Sequence, residues 1–276
     1  INYYLCVKKN KNVYLAQPWG GLGDNFVFSN LPRLYSEKNI NFSLSFLNHE
    51  RNSQIKKIVW KNNPYIKNSF SLNYPNIGSR KLNTVKIEKE NLNVVQKINI
   101  FHGFEPGDGY PEIYLNHEPG DILKYEKVAD LNAYSMFNTQ EMIYDNNEIK
   151  NLKYKLNDEG VMFLEFPKLY KSDENFKNTI INKNIEDLVK VLLTTETFYC
   201  LNSGSHCLAA ILKNKFGYPK NIISFLPNLN KNNLYDFGHV YENVKYFNID
   251  GIKNENVHLP RKIKIYEGLI KKYFTG

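Results

Sequence analysis

Apolar positions in this chain fall in short blocks whose spacing switches between strand-like and helix-like. Val13 to Gln17 (VYLAQ) predicts a strand, followed by a glycine-rich turn, Gly20-Gly21-Leu22-Gly23-Asp24. From Asn25 to Lys38, Val27, Leu31, Leu34 and Tyr35 recur at helical spacing, and Pro32 predicts a kink within that helix. Phe42 to Phe46 (FSLSF) predicts a second strand, and Ser53 to Trp60 a helix that Asn63-Pro64 closes. Strand, turn, helix, strand is the unit of a parallel sheet with helical crossovers.

The stretch from Ser79 to Asn99 is polar and weakly periodic, and Phe101 to Leu115 carries turn residues at nearly every second place, which predicts a loop. Lys127 to Asn132 reads as a last strand of the first half, and the polar run from Tyr144 to Asp158 as a domain boundary. After it the alternation restarts. Val161 to Phe166 (VMFLEF) is a continuous apolar run of the kind that parallel strands bury. Asn184 opens a helix with Asp187 three places on, a capping-box spacing with Asp in place of Glu. Thr197 to Leu201 predicts a strand, Asn202-Ser203-Gly204-Ser205 a turn, and His206 to Lys215 a helix. Strands follow at Ile222 to Phe225 and Val244 to Phe247, and an amphipathic helix at Arg261 to Phe274. The expectation is an α/β protein of two Rossmann-like domains facing across a cleft. Residues 1–150 would form the first domain, 151–260 the second, and 261–276 a closing helix.

With 276 residues, 42% hydrophobic and 23% charged, the chain is long enough for two packed cores and is not a disordered segment. The first residues show no charged-then-apolar leader pattern, and no apolar run reaches the roughly 18 residues of a membrane span. Three cysteines, Cys6, Cys200 and Cys207, share no metal-ligand spacing, and their odd number argues against a disulfide scaffold. A reducing cytoplasm is the expected compartment. The net charge of +8 favours an anionic partner, among which nucleotide phosphates, nucleic acid and the acidic inner face of a membrane all qualify. Lysine and arginine are interspersed with Asp and Glu, and no zinc, RNA-recognition or helix-turn-helix pattern occurs, so specific nucleic-acid binding is not expected.

Two turns carry candidate chemistry, because each follows a strand and opens a helix, where parallel α/β sheets hold ligands. In the first, Gly20, Gly21 and Gly23 permit positive φ and a close approach of ligand to backbone. Asp24 then has two readings: an N-cap for the helix, or a general base. The turn is neither a dinucleotide fingerprint nor a P-loop, since the third glycine and the Gly-Lys-Ser/Thr are missing. In the second, Ser203, Gly204 and Ser205 offer hydroxyls and amides at a helix N-terminus, with His206 as a further donor, which suits a diphosphate. A plain serine-capped helix start is the alternative.

The run GGLGDNFVFSNLPRL resembles the N-terminal motif of the GT-B glycosyltransferases related to the bacterial ADP-heptose:lipopolysaccharide heptosyltransferases. IKKIVWKNNPYI resembles the family's helix ending in an Asn-Pro-Tyr turn, and YCLNSGSHCLAAIL its C-terminal donor loop before an Ala-rich helix. Asn202 stands where the family usually has Asp, and without a gap Cys207, not His206, falls on the family's His. The resemblance implies a GT-B fold, with the closing helix 261–276 packing back on the first domain, and a transferase of polysaccharide biosynthesis. It would move a sugar from a nucleotide-diphosphate donor to a glycan or lipid-linked acceptor, with inversion and without a metal. It makes Asp24 the catalytic base and the 202–206 turn the donor loop. The nucleotide sugar would be a co-substrate, with no cofactor, and the protein would work in the cytoplasm or at the inner membrane face.

The six histidines form no ligand pair, which speaks against a metal site, and no Asp-x-Asp clamp occurs. His102 and Glu105, in the loop that runs on to Glu112, are weak acceptor-site candidates, with a plain surface loop as the other reading. Lys168 and Lys171 follow VMFLEF at its C-terminal end, where either could meet a donor phosphate, Lys168 being the donor-site candidate and a solvated lysine the other reading. A non-catalytic sugar- or nucleotide-binding protein would keep both folds without depending on Asp24.

Overall fold

A computed structural model describes residues 12–15, 21–45, 53–70, 92–115, 123–132, 144–166, 178–226 and 239–249. The chain divides into two compact units, the first holding the described residues up to 115 and the second those from 123 to 249. The division therefore falls earlier than 150, for a physical reason visible in two elements. The strand expected to end the first half pairs inside the second unit's sheet. The polar run expected as a boundary is an amphipathic helix of that unit.

The first unit is built on a three-stranded parallel sheet of β1 (Asn12–Leu15), β2 (Asn41–Ser45) and β3 (Ile66–Phe70), in that order. Between β1 and β2 the expected single helix is two: α1 (Leu22–Phe26) and α2 (Leu31–Glu37). Pro32 does not kink a helix. It occupies the first turn of α2, where its missing N–H costs nothing. Between β2 and β3, a short helix α3 (Ser53–Ile55) runs into a π-helical turn, Lys56–Lys61, that ends at Asn62. The polar stretch that follows holds α4 (Val94–Phe101). Asn93 caps it by accepting from the Gln96 amide at 3.1 Å, while the Gln96 side chain accepts from the Asn93 amide at 3.1 Å. Residues 103–115 are loop, as expected. The core of this unit is Phe26, Phe28, Leu31, Phe42, Val59 and Ile113.

The second unit is a six-stranded, wholly parallel sheet: β4 (Tyr125–Asp130), β5 (Met162–Glu165), β6 (Thr179–Ile181), β7 (Thr195–Leu201), β8 (Asn221–Leu226) and β9 (Lys245–Asn248). The spatial order is β6-β5-β4-β7-β8-β9. Numbered within the sheet this is 3-2-1-4-5-6, the doubly wound order, with the reversal between β4 and β7. Helix α5 (Asn146–Asp158) buries only Ile149, Leu152 and Leu156 and is polar elsewhere, so its mean composition hides its periodicity. Helix α6 (Ile185–Leu193) starts at Asn184, whose side chain accepts from the Asp187 amide at 2.9 Å; the Asp187 carboxylate accepts from the Lys183 amide one residue before the cap. Helix α7 (Gly204–Phe216) buries Ser205 to Leu212 and ends at Gly217, whose φ of 79° is the left-handed cap that glycine adopts without penalty. No described helix is long and apolar enough to cross a membrane. The expected helix from 261 to 274 lies outside the described residues.

Candidate functional site

In the first unit the glycine turn is a compact hydrogen-bonded object. Helix α1 has only five residues, too few to hold itself, so side-chain bonds must fix it. Half-buried Asp24 turns back, and its Oδ2 accepts from the Gly21 amide at 3.1 Å. Gly21 has φ −74°, and Gly23 lies within α1; neither uses positive φ, contrary to the expectation for this turn. The structural reason for glycine at 21 is space: a Cβ there would lie 2.5 Å from Asp24 Oδ2. Gly20 lies outside the described residues. Asn25 is fully buried and uses both ends of its amide. Its Nδ2 donates to the Gly21 carbonyl at 2.8 Å and its Oδ1 accepts from the Trp60 indole N–H at 2.8 Å. Asn63 Nδ2 donates to the Ser29 carbonyl at 3.1 Å.

The loop after α4 is held from beneath by the same helix. Asn93, Gln96 and Asn99 donate to the carbonyls of Gly109, Gly107 and Pro106 at 2.7, 3.3 and 2.9 Å. Its far end joins an ionic cluster. Glu112 accepts from Arg33 Nε at 2.6 Å and from the Tyr114 hydroxyl at 2.5 Å, its own amide donates to Ser29 Oγ at 2.8 Å, and Arg33 also pairs with Glu37. Burial works against the charged Arg33, but Glu112 and Glu37 outweigh it and raise its pKa. Of the acceptor candidates, Glu105 is exposed and His102 is not available. His102 is buried, its Nδ1 is 2.8 Å from Tyr35 Oη, and desolvation lowers its pKa to about 3. The two therefore do not converge on one surface.

In the second unit the serine turn lies at the C-terminal end of β7, beside the C-terminal end of β4, at the reversal in strand order. Ser203 is the N-cap of α7 but makes no capping bond with its side chain; its Oγ is 3.0 Å from Ser205 Oγ. The first amides of α7 have no intrahelical acceptor and carry the positive end of the helix dipole. Tyr144 closes one side of the turn. Its hydroxyl donates to the Phe225 carbonyl at 2.9 Å and accepts from the Asn202 amide at 3.0 Å, and burial raises its pKa.

His206 is turned inward and is not offered to a ligand. It is fully buried, Nε2 is 3.0 Å from Tyr246 Oη, and desolvation together with nearby His239 lowers its pKa to about 3. Tyr246 Oη also accepts from the Tyr241 amide at 2.8 Å, so the histidine anchors 241–246 against the first turn of α7. Lys168 lies outside the described residues.

A residue that sequence reasoning missed is Asp130, the last of β4. It is buried, its Oδ1 accepts from the Asn132 amide at 3.1 Å and from Asn132 Nδ2 at 2.9 Å, and its carboxyl is hydrogen-bonded to Ser205. Desolvation raises its pKa, against Ser205, Asn132 and Lys153, which lower it. The missing signal was the strand's membership. Once β4 is the first strand of the second sheet, its C-terminal residue stands at the reversal.

Solved structures of glycosyltransferases share this fold, two of TibC among them. Over 92% of its length the chain superposes on the iron-containing dodecameric glycosyltransferase TibC from enterotoxigenic E. coli H10407, with a TM-score of 0.53, 12% identity and 72% of that chain covered. Over 89% it superposes on the dodecameric iron-containing heptosyltransferase TibC in complex with ADP-D-beta-D-heptose, with a TM-score of 0.52, 11% identity and 66% of that chain covered. At such identities the likeness is one of fold, and the fold is one that glycosyltransferases use. No protein-family model matches the chain, and no curated protein matches it in sequence. The iron of TibC finds no counterpart set of ligands among the described residues, where no group of three or more His, Cys, Asp or Glu converges. Cys200 and Cys207 are buried, Cys207 Sγ lies 2.9 Å from Tyr241 Oη, and Cys200 Sγ donates to the Ile223 carbonyl at 3.6 Å.

Proposed function

We propose that this protein is a glycosyltransferase of GT-B type that moves a sugar from a nucleoside-diphosphate donor to a hydroxyl of a glycan or lipid-linked acceptor. The observation that carries the reading is the serine turn at the reversal of a doubly wound sheet, in a fold that glycosyltransferases use. In such sheets ligands bind outside the carboxyl ends of the strands at that reversal. The amides at the start of α7 and the Ser203 hydroxyl are donors suited to a diphosphate, and the helix dipole stabilises its charge as it leaves. Buried Asp130 braces Ser205 from behind.

The first unit would handle the acceptor, with Asp24 as general base. Its Oδ2 is engaged by the Gly21 amide, so Oδ1 is the oxygen left to take a proton from the acceptor hydroxyl. One displacement assisted by such a base inverts the anomeric centre. The donor class is that of the ligand held by the TibC heptosyltransferase, ADP-D-beta-D-heptose.

A thermal-shift series against nucleoside diphosphates and their sugars, ADP-D-beta-D-heptose among them, tests this directly. A diphosphate at 100 times its dissociation constant should stabilise the protein by about 2.7 kcal/mol, and the free sugar should not. Melting that no nucleotide diphosphate shifts would overturn the donor assignment.

A further inference from the structure

Asp24 stands on a helix too short to fix it, and the bonds that do fix it trace back to one side chain outside the turn. Trp60 is buried at the end of the π-helical turn, and its indole N–H can only donate. It donates to Asn25 Oδ1 at 2.8 Å. That bond decides which way the Asn25 amide faces, since its oxygen must meet the indole and its nitrogen must point the other way. The nitrogen then donates to the Gly21 carbonyl at 2.8 Å, beside the backbone Asn25 amide, which donates to the same oxygen at 3.1 Å. Gly21 held in this way presents its own N–H to Asp24 Oδ2 at 3.1 Å. With the indole N–H gone, Asn25 Oδ1 is left buried without its donor, and the amide loses the bond that fixes it against Gly21.

We infer that Trp60 is a positioning residue for Asp24, acting through Asn25 and the Gly21 turn; the inference rests on the reading of Asp24 as the base. The π-helical geometry has a use in this account. A π turn shifts the residues after it around the helix axis, and such turns recur at functional sites. Here the π turn itself carries the residue whose N–H reaches Asn25. A second tie, from Asn63 to the Ser29 carbonyl, holds the other end of the same segment to the same element. The segment 21–29 is thus anchored by 60–63, far from it in sequence.

Trp60→Phe keeps an aromatic ring and removes only the donor and part of the volume. The control is Val59→Ala, a buried neighbour on the same turn that takes no part in the bond chain. Amide exchange over residues 21–27 should rise by about tenfold or more in Trp60→Phe, with the rest of the first unit within about twofold, and Val59→Ala should not produce that local pattern. Turnover is read as nucleoside-diphosphate release from ADP-D-beta-D-heptose. In Trp60→Phe its kcat should fall about 10²-fold with the donor KM unchanged, the cost of a misplaced group. On an Asp24→Asn background the same change should produce no further fall, because Trp60 acts only through Asp24. Unchanged exchange over 21–27 in folded Trp60→Phe overturns the inference, as does a fall in kcat that adds fully to that of Asp24→Asn. Full turnover in Asp24→Asn alone is a different result, and it removes the base reading and this inference with it. Should Trp60→Phe not fold, Asn25→Ser cuts the same chain one link later and is read in the same way.

Discussion

Gly21 shows how one residue type can serve a reason other than the one its composition suggests. Its φ of −74° is available to any residue, so alanine would cost little in backbone strain. What it would cost is the Asp24 carboxylate's place, since the new Cβ falls 2.5 Å from Oδ2. Gly21→Ala should therefore leave the fold within about 1 kcal/mol of wild type and still reduce turnover, by rotating Asp24 off the Gly21 amide. Urea denaturation and a donor-turnover assay on one preparation read both effects. A variant with normal turnover would mean the Asp24–Gly21 bond has no bearing on the chemistry. Histidine 102 makes the opposite point. It sits in a loop rich in turn residues and carboxylates, which is where a binding histidine is expected, yet it is a neutral core residue. Because its pKa is lowered from 6.5 to about 3, the unfolded state takes up the proton first as pH falls. Stability contributed above pH 6.5 is then lost on acidification, at about 1.4 kcal/mol per pH unit. Between pH 6.5 and about 5 this one group should cost the first unit about 2 kcal/mol. His102→Asn, which cannot titrate there, should be less stable at neutral pH and lack that slope in urea midpoints followed against pH; equal slopes would contradict a buried neutral imidazole.

At the scale of elements, most of the strands were legible and the polar helices were not. The apolar runs VMFLEF and TFYCL and the alternating FSLSF announce β5, β7 and β2 within one or two residues of their ends. Helix α5 buries three residues out of thirteen, so the mean polarity of 144–158 reads as linker although Ile149, Leu152 and Leu156 keep helical spacing. A boundary at α5 would leave β4 in the first half, whereas β4 pairs in the second sheet and brings Asp130 to its reversal. The apolar spacing that runs through Pro32 suggests a kinked helix; the chain instead breaks at 27–30 and uses the proline to start α2. The polar core bonds were invisible for another reason. Trp60 to Asn25, Tyr246 to His206 and Tyr144 to Phe225 join residues 35, 40 and 81 apart, and no local pattern encodes such pairs. The two glycine and serine turns were legible as strand-to-helix junctions because short-range spacing alone defines them.

For the whole molecule, the proposed reaction calls on both units: a carboxylate on a glycine turn in one, and a serine turn, proposed to hold the diphosphate, at the reversal of a six-stranded sheet in the other. The proposed donor site rests on a rule of sheet topology, and the proposed base on a side chain that the Gly21 amide holds in place. The most direct test of the central claim is turnover of a nucleoside-diphosphate sugar by Asp24→Asn, measured beside its melting temperature and its donor affinity. An asparagine oxygen can still accept from the Gly21 amide, so the helix start and the melting temperature should be retained. An amide cannot take a proton near neutral pH, so turnover should fall by roughly 10²–10⁴ while donor binding survives. An Asp24→Asn protein that folds, binds the donor and turns over at the wild-type rate would contradict the account.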